Sequence, residues 1–160
     1  MAVDFFLKLD GINGEAMDEN HKNEIRLLSW SWGANQVTSV SGSGGSGAGK
    51  ASLSDMSIMK DFDAASPLIY KALLMGTHIK TATLTASKSS GSATGTPFLK
   101  IDLGEVFVTS QQLSGSSEIP SESISFSYNT IKIDYSKQNE TGNLTSTGAV
   151  TYDLKANKVS

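Results

Sequence analysis

Phe98-Leu-Lys-Ile-Asp-Leu-Gly-Glu-Val-Phe-Val-Thr-Ser110 carries two alternations with a break between them. Leu99, Ile101 and Leu103 share one parity; beyond Gly104 the apolar set moves to Val106 and Val108. A period of two reads as a strand with one buried face, and a parity flip at a glycine reads as a bulge. Outward from it the same period recurs. Ser123 to Tyr135 carries Ile124, Phe126 and Tyr128, then Ile131, Ile133 and Tyr135; Thr81 to Lys88 sets Ala82, Leu84 and Ala86 against threonines. Val3, Phe5, Leu7 and Leu9 alternate near the N-terminus, and Val150, Tyr152 and Leu154 near the C-terminus. A strand from about Glu24 to Gly33 flips parity between Leu27 and Leu28, and another covers about Ala51 to Lys60.

Ser66-Pro67 opens the one helix, with Ser66 expected at the N-cap and Pro67 at the first helical position. Leu68, Ile69, Ala72 and Leu73 share a face, and Gly76 suits the position after the last turn. A helix of about nine residues does not stand alone, so it must pack on a sheet. Gly11 to Asn23, Ser89 to Pro97, Ser114 to Ser121 and Lys137 to Thr147 read as loops. The Gly/Ser run from Thr38 to Lys50 reads as a long flexible loop, because it holds little apolar surface to offset ordering entropy. The predicted fold is mainly all-β: a two-sheet β-barrel or sandwich of about seven to nine short strands, with one short flanking α-helix over about 66–75. A length of 160 residues suits a single domain over 1–160.

Composition narrows the function. Twenty-five serines, 13 threonines and 15 glycines make up a third of the chain, which suits strands and turns better than a helical bundle. Net charge is −3 with scattered cations, so there is no basic face for nucleic acid. No apolar run approaches the roughly 18 residues of a membrane span, and the N-terminus lacks the basic segment of a secretory signal. Without cysteine there is no disulfide, thiolate metal site or Cys nucleophile.

The tempting motifs reduce to composition or turn chemistry. Gly42-x-Gly44-x-x-Gly47 and Gly44-(four residues)-Gly49-Lys50 mimic nucleotide loops, but Ala51 stands where a P-loop needs a hydroxyl and no helical stripe follows. A Ser-His-Asp hydrolase would have to use His21 or His78, and no Gly-x-Ser-x-Gly sits between a strand and a helix. His21 reads as a surface histidine among charged loop residues. Asp61 and Asp63 read as turn-bonding carboxylates, and Trp30 and Trp32 as core aromatics. No catalytic, cofactor or metal site is expected, which favours a structural or interaction protein over an enzyme.

Several segments carry a resemblance together. Near the N-terminus they are Met1-Ala-Val-Asp-Phe-Phe-Leu-Lys-Leu-Asp-Gly-Ile-Asn-Gly-Glu15, the Asp18…His21…Glu24-Ile25 stretch and Leu28-Ser-Trp-Ser-Trp-Gly33. Met56-Ser-Ile-Met-Lys60 with Asp63, Ser66-Pro67-Leu68, Ala72 and Gly76 forms a strand-into-helix signature. Phe98-Leu-Lys-Ile101, Val106-Phe-Val-Thr-Ser110, Phe126 and Ile133-Asp-Tyr135 follow in the later strands. In combination these segments resemble the Hcp family, the tube protein of type VI secretion systems. Ala16 departs from the serine the family often has there.

The resemblance implies homohexameric rings stacked into a tube inside a contractile sheath, behind a VgrG-type spike, with small effector proteins in the lumen. It implies synthesis in the bacterial cytoplasm and export by the machine, with no membrane insertion, no nucleic-acid partner and no bond-making chemistry. The other readings are the tail tube of another contractile injection system or a phage, and a small β-barrel ligand-binding module using Trp30 and Trp32. Strand faces rich in Ser and Thr are too polar for a core and too weakly charged for an ordinary outer wall. Thr81, Thr83 and Thr85 form one such face; Ser29 and Ser31 form another, and Ser31 is the expected cargo-touching position. Ser41, Gly42, Gly44, Gly45, Gly47 and Gly49 are the expected contact to a neighbouring subunit or ring.

Overall fold

The computed structural model describes residues 3–41, 45–88, 96–138 and 143–160. In chain order the elements are β1 (Val3–Leu9), β2 (Ile25–Leu27), β3 (Ser29–Ser31), β4 (Ala34–Ser41), β5 (Gly45–Leu53), β6 (Met56–Asp61), α1 (Ser66–Met75) and β7 (Ile79–Lys88). There follow β8 (Thr96–Ser114), β9 (Ser121–Ser127), β10 (Thr130–Gln138), β11 (Leu144–Asp153) and β12 (Lys158–Val159). One sheet runs β12-β11-β10-β8-β7-β1-β2; a second runs β3-β6-β9-β8; β4 and β5 pair as a separate hairpin. All pairings are antiparallel.

Strand β8 belongs to both sheets, and its parity flip is where it crosses. Residues 99–104 pair with β10, while 107–114 pair with β9. At the crossing Glu105 takes a left-handed φ of 52°. A side chain at Gly104 would run into the Thr130 hydroxyl, so glycine lets β10 close up there. The flip at Leu28 does the same at the other corner. β2 pairs with β1 in the first sheet, and β3 pairs with β6 in the second.

Between the sheets lie Leu7, Leu9, Ile25, Leu27, Met56, Ile58, Ile69, Leu84, Ile101, Val106, Ile124 and Phe126, all buried. Trp30 and Trp32 are half-buried and pack against this core from its rim. Trp30 lies edge-on to Phe5, with ring centroids 6.3 Å apart.

Twelve described strands exceed the expected number: the Ser123–Tyr135 run is split at Tyr128 and Asn129 into β9 and β10, β12 is added near the C-terminus, and two further differences have local reasons. The Glu24–Gly33 strand is split at Leu28, and the Gly/Ser run is no loop in its described part. β4 and β5 pair from Ala34↔Leu53 to Ser41↔Gly45, with a bulge opposite Val37. Backbone hydrogen bonds need no side chains, so a segment poor in apolar groups can still form a ladder. The strand expected over Ala51–Lys60 is accordingly two, broken at Ser54 and Asp55. Strands also enter the expected Lys137–Thr147 loop from both sides, as β10 to Gln138 and β11 from Leu144.

The helix starts one residue away from expectation. Ala65, not Ser66, holds the N-cap position, and it contributes no side-chain cap. Asp63 acts instead: its carboxylate accepts the Ala65 N–H at 2.9 Å, and the Asp63 N–H donates to the Ser66 hydroxyl at 2.9 Å. Gly76 ends the helix in the left-handed conformation as expected. Ile69 and Ala72 face the core, Leu73 is half-buried, and Leu68 points outward.

A polar relay closes the rim beside the tryptophans. The Trp32 indole N–H donates to the Tyr128 hydroxyl, which donates to the Ser54 carbonyl at 2.8 Å. Burial pushes the Tyr128 phenol above its ordinary value of 10.0, against the lowering effect of the Trp32 hydrogen bond. The fold therefore favours the protonated phenol. That contribution is complete below about pH 10 and is lost as pH rises through the raised folded-state value. Tyr128→Phe is expected to cost about 1–3 kcal/mol, at roughly 0.5–1.5 kcal/mol for each of the two part-buried hydrogen bonds it removes, and to remove this phenol's share of the alkaline loss. Urea midpoints at neutral pH and above pH 10 check both; an unchanged neutral midpoint contradicts the relay.

Candidate functional site

The two sheets show different chemistry on their outward faces. On the first sheet, Lys8 faces Thr83, then Asp102, then Lys132 across four strands. The adjacent row holds Phe6, Thr85, Lys100 and Asp134, with Arg26 of β2 at its end. Charges of both signs thus cover this wall. Arg26 pairs with Asp4 at 3.0 Å, and the Thr83 hydroxyl donates to Asp102 at 2.8 Å.

The second sheet presents a surface of small uncharged groups. One row reads Ser29, Met59, Ser123 and Gln112; the next reads Ser31, Ser57, Ser125 and Ser110. A third row, Asp61, Ser121 and Ser114, forms its margin. In β9 the inward positions are Glu122, Ile124 and Phe126, so every outward one, from Ser121 to Ser127, is serine. Cross-strand hydroxyl contacts join Ser57 to Ser125 at 3.2 Å and Ser114 to Ser121 at 3.3 Å.

Ser29 and Ser31 are therefore exposed members of a four-strand serine face. The residues sequence reasoning missed are Ser57, Ser110, Ser123 and Ser125. The alternation Ser121-x-Ser123-x-Ser125-x-Ser127 was the signal for half of them. The threonine face expected to be equivalent is not: Thr85 is buried and Thr83 is bonded into the charged wall.

Of the expected contact loop, Ser41 and Gly45 face each other across the hairpin and Gly47 pairs with Ser39. The Gly49 carbonyl accepts from the Gln36 amide. Gly42 and Gly44 lie outside the described residues. The hairpin leaves the second sheet beside the Ser31 end, opposite the margin formed by Asp61 and Ser121.

His21, expected on the surface, is buried, and it joins a Ser-His-Glu chain. Its Nδ1 lies 2.9 Å from Glu24 Oε2 and its Nε2 lies 3.4 Å from Ser87 Oγ. The connectivity is that of a hydrolase triad, yet Ser87 is only 3% exposed and the imidazole stacks on Phe6 at 4.2 Å. With the hydroxyl sealed, no substrate carbonyl reaches it. The cluster instead pins the 13–24 segment onto the first sheet. Trp30 and Trp32 are likewise occupied, by Phe5 and Tyr128. Among the described residues no three metal-ligating side chains converge, and no helix is long and apolar enough to cross a membrane.

This anatomy is a β-sandwich that offers two contrasting walls and a projecting hairpin. Residues 6–135 match the family described as "Type VI secretion system effector, Hcp". The chain is 36% identical over 144 residues to Protein hcp1 of Pseudomonas aeruginosa, covering 89% of this chain and 88% of that one. A solved structure described as a type six secretion system protein superposes with a TM-score of 0.90 at 30% identity, covering 99% of this chain and 100% of the other. Hcp1 from Salmonella typhimurium gives 0.80 at 34% identity, with both chains fully covered. The chain belongs to the Hcp family of type VI secretion systems.

Proposed function

We propose that this chain is a single-domain tube subunit: six copies close into a ring, and rings stack into the inner tube that a contractile sheath expels behind a VgrG-type spike. The observation that carries this reading is the contrast between the walls. A face of small hydroxyls without charge in its two main rows suits a lumen through which proteins of varied charge must pass. A mixed-charge face suits an outer wall that meets water and the sheath. Ser29 and Ser31 then line the lumen, and the work of the chain is assembly and effector binding rather than bond making. Synthesis in the cytoplasm and release by the machine follow from the same reading.

Exposed apolar side chains support assembly. Tyr70, Leu74 and Met75 on α1, with Val37, Val150 and Val159 elsewhere, stand in solvent on the single chain. Such groups scattered over several faces suit heterologous contacts that close a ring. Native mass spectrometry is expected to show six chains of 16.9 kDa, about 101 kDa; a monomer or dimer at micromolar concentration would falsify the reading. Ser31→Gln is expected to leave that mass unchanged while weakening retention of effector proteins, because a longer amide replaces a hydroxyl at each of six equivalent positions. Retention equal to wild type removes Ser31 from the lumen.

A further inference from the structure

The two main rows of the serine face hold two longer side chains, Gln112 and Met59, and the apolar one lies near the middle of the sheet. Met59 of β6 sits between Ser29 of β3 and Ser123 of β9, with Gln112 beyond. It is 45% exposed. Its neighbours on the same strand, Ile58 and Lys60, turn inward, so the core does not account for Met59. Each serine beside it ends one atom past Cβ, whereas the thioether reaches three, so Met59 stands above the bed of hydroxyls. Phe107, the exposed aromatic opposite Ser127, lies against His78 with ring centroids 5.4 Å apart.

We propose that Met59 is the apolar anchor of the cargo face, selecting exported proteins that present an uncharged apolar patch. This rests on the reading that the serine face lines the lumen. A row without charge offers no ion pair, so discrimination there falls to hydroxyl contacts and to the one large apolar group. Methionine suits a site that must accept unlike partners, since its unbranched, polarizable chain adapts to irregular surfaces. Closure of the ring sets six such side chains around one channel, so contacts that are weak singly act together on one guest. The occupant is a small folded protein with an exposed aliphatic patch.

The test uses purified rings of the full chain and two labelled helical peptides, both uncharged: one with a leucine stripe, one with every leucine replaced by glutamine. Fluorescence anisotropy is read for wild type, Met59→Ser, Met59→Leu and Ser31→Gln, each first confirmed as a hexamer by native mass. Wild type is expected to bind the striped peptide and not the glutamine one. Met59→Ser weakens that binding by roughly tenfold, in line with the burial of part of one apolar side chain. Met59→Leu stays within about threefold of wild type, since volume and polarity are kept. Equal binding of both peptides by wild type, no binding of either, or unchanged binding by Met59→Ser overturns the anchor. If Ser31→Gln alone weakens binding, the lumen reading stands and only Met59 loses its part. If both variants bind as wild type in intact rings, the lumen reading falls with it.

Discussion

Lys60→Met is expected to lower the melting transition by roughly 6–20 °C. Lys60 and Glu122 are 0% and 1% exposed, and their Nζ and Oε1 atoms lie 2.5 Å apart. The three ammonium protons are shared among Glu122, Asp63 at 2.8 Å, the Ser66 hydroxyl at 2.9 Å and the Asp61 carbonyl at 3.0 Å. The Ser66 hydroxyl donates to Glu122 Oε1 at 2.7 Å, and the Gln111 amide donates to the second Glu122 oxygen at 2.9 Å. One polar knot thus ties β6, β8, β9 and the first turn of α1. Removing the cation leaves the Glu122 carboxylate buried without its counter-charge, a loss of about 3–5 kcal/mol. At about 2–4 °C per kcal/mol for a chain of this size, that gives the stated shift.

The companion variant separates a specific pair from mere crowding. Lys60→Met with Glu122→Leu removes both charges, and a buried pair replaced by apolar groups often costs little. The double variant is expected to recover more than half of the loss, although Ser66 and Gln111 lose partners. Calorimetry at one subunit concentration measures wild type, Lys60→Met, Glu122→Leu and the double variant. Additive losses would show that the two side chains do not act as a pair. A shift below about 2 °C for Lys60→Met would mean that water reaches the knot.

How far the sequence revealed this depends on whether a signal is carried by periodicity or by distant partners. The alternation around Gly104 and Leu28 marked the places where strands leave one sheet for the other, because burial and parity are local. Pro67 and Gly76 bounded the helix, and Asp63 was legible as a turn-bonding residue. Lys60 was not legible as buried. It shares parity with Met56 and Ile58, but a lysine at a strand end normally reads as exposed unless a partner is known. That partner, Glu122, lies 62 residues away on the inward parity of β9. His21 misled for the same reason, since Phe6 and Ser87 cover it from two strands. Of the serine face, Ser29 and Ser31 were found and the β6, β8 and β9 members were missed, since only sheet register assembles them into rows. The hairpin was misread because composition reports apolar surface and is silent about backbone pairing.

That hairpin carries the last large expected effect. Deleting residues 38–48 and joining Val37 to Gly49 through a two-residue turn is expected to leave hexameric rings intact and to abolish their stacking into tubes. β4 and β5 pair with each other and with no further strand. Val37 is 78% exposed and Lys50 is exposed beside the bulge. A two-stranded hairpin on its own is marginal in water. Its outer edges carry unpaired backbone groups that invite another chain. The core described between the two sheets is built by β1, β2, α1 and β6 to β10, so the deletion is expected to leave the subunit folded. What the deletion removes is a projection rooted at the Ser31 end of the serine-faced sheet, where the proposed tube would bring in the adjoining ring. Native mass spectrometry reads ring formation, and negative-stain images at high protein concentration read tube length. Tubes of normal length from the shortened chain would take the inter-ring role away from the hairpin, and loss of the ring itself would place its contact within the hexamer instead.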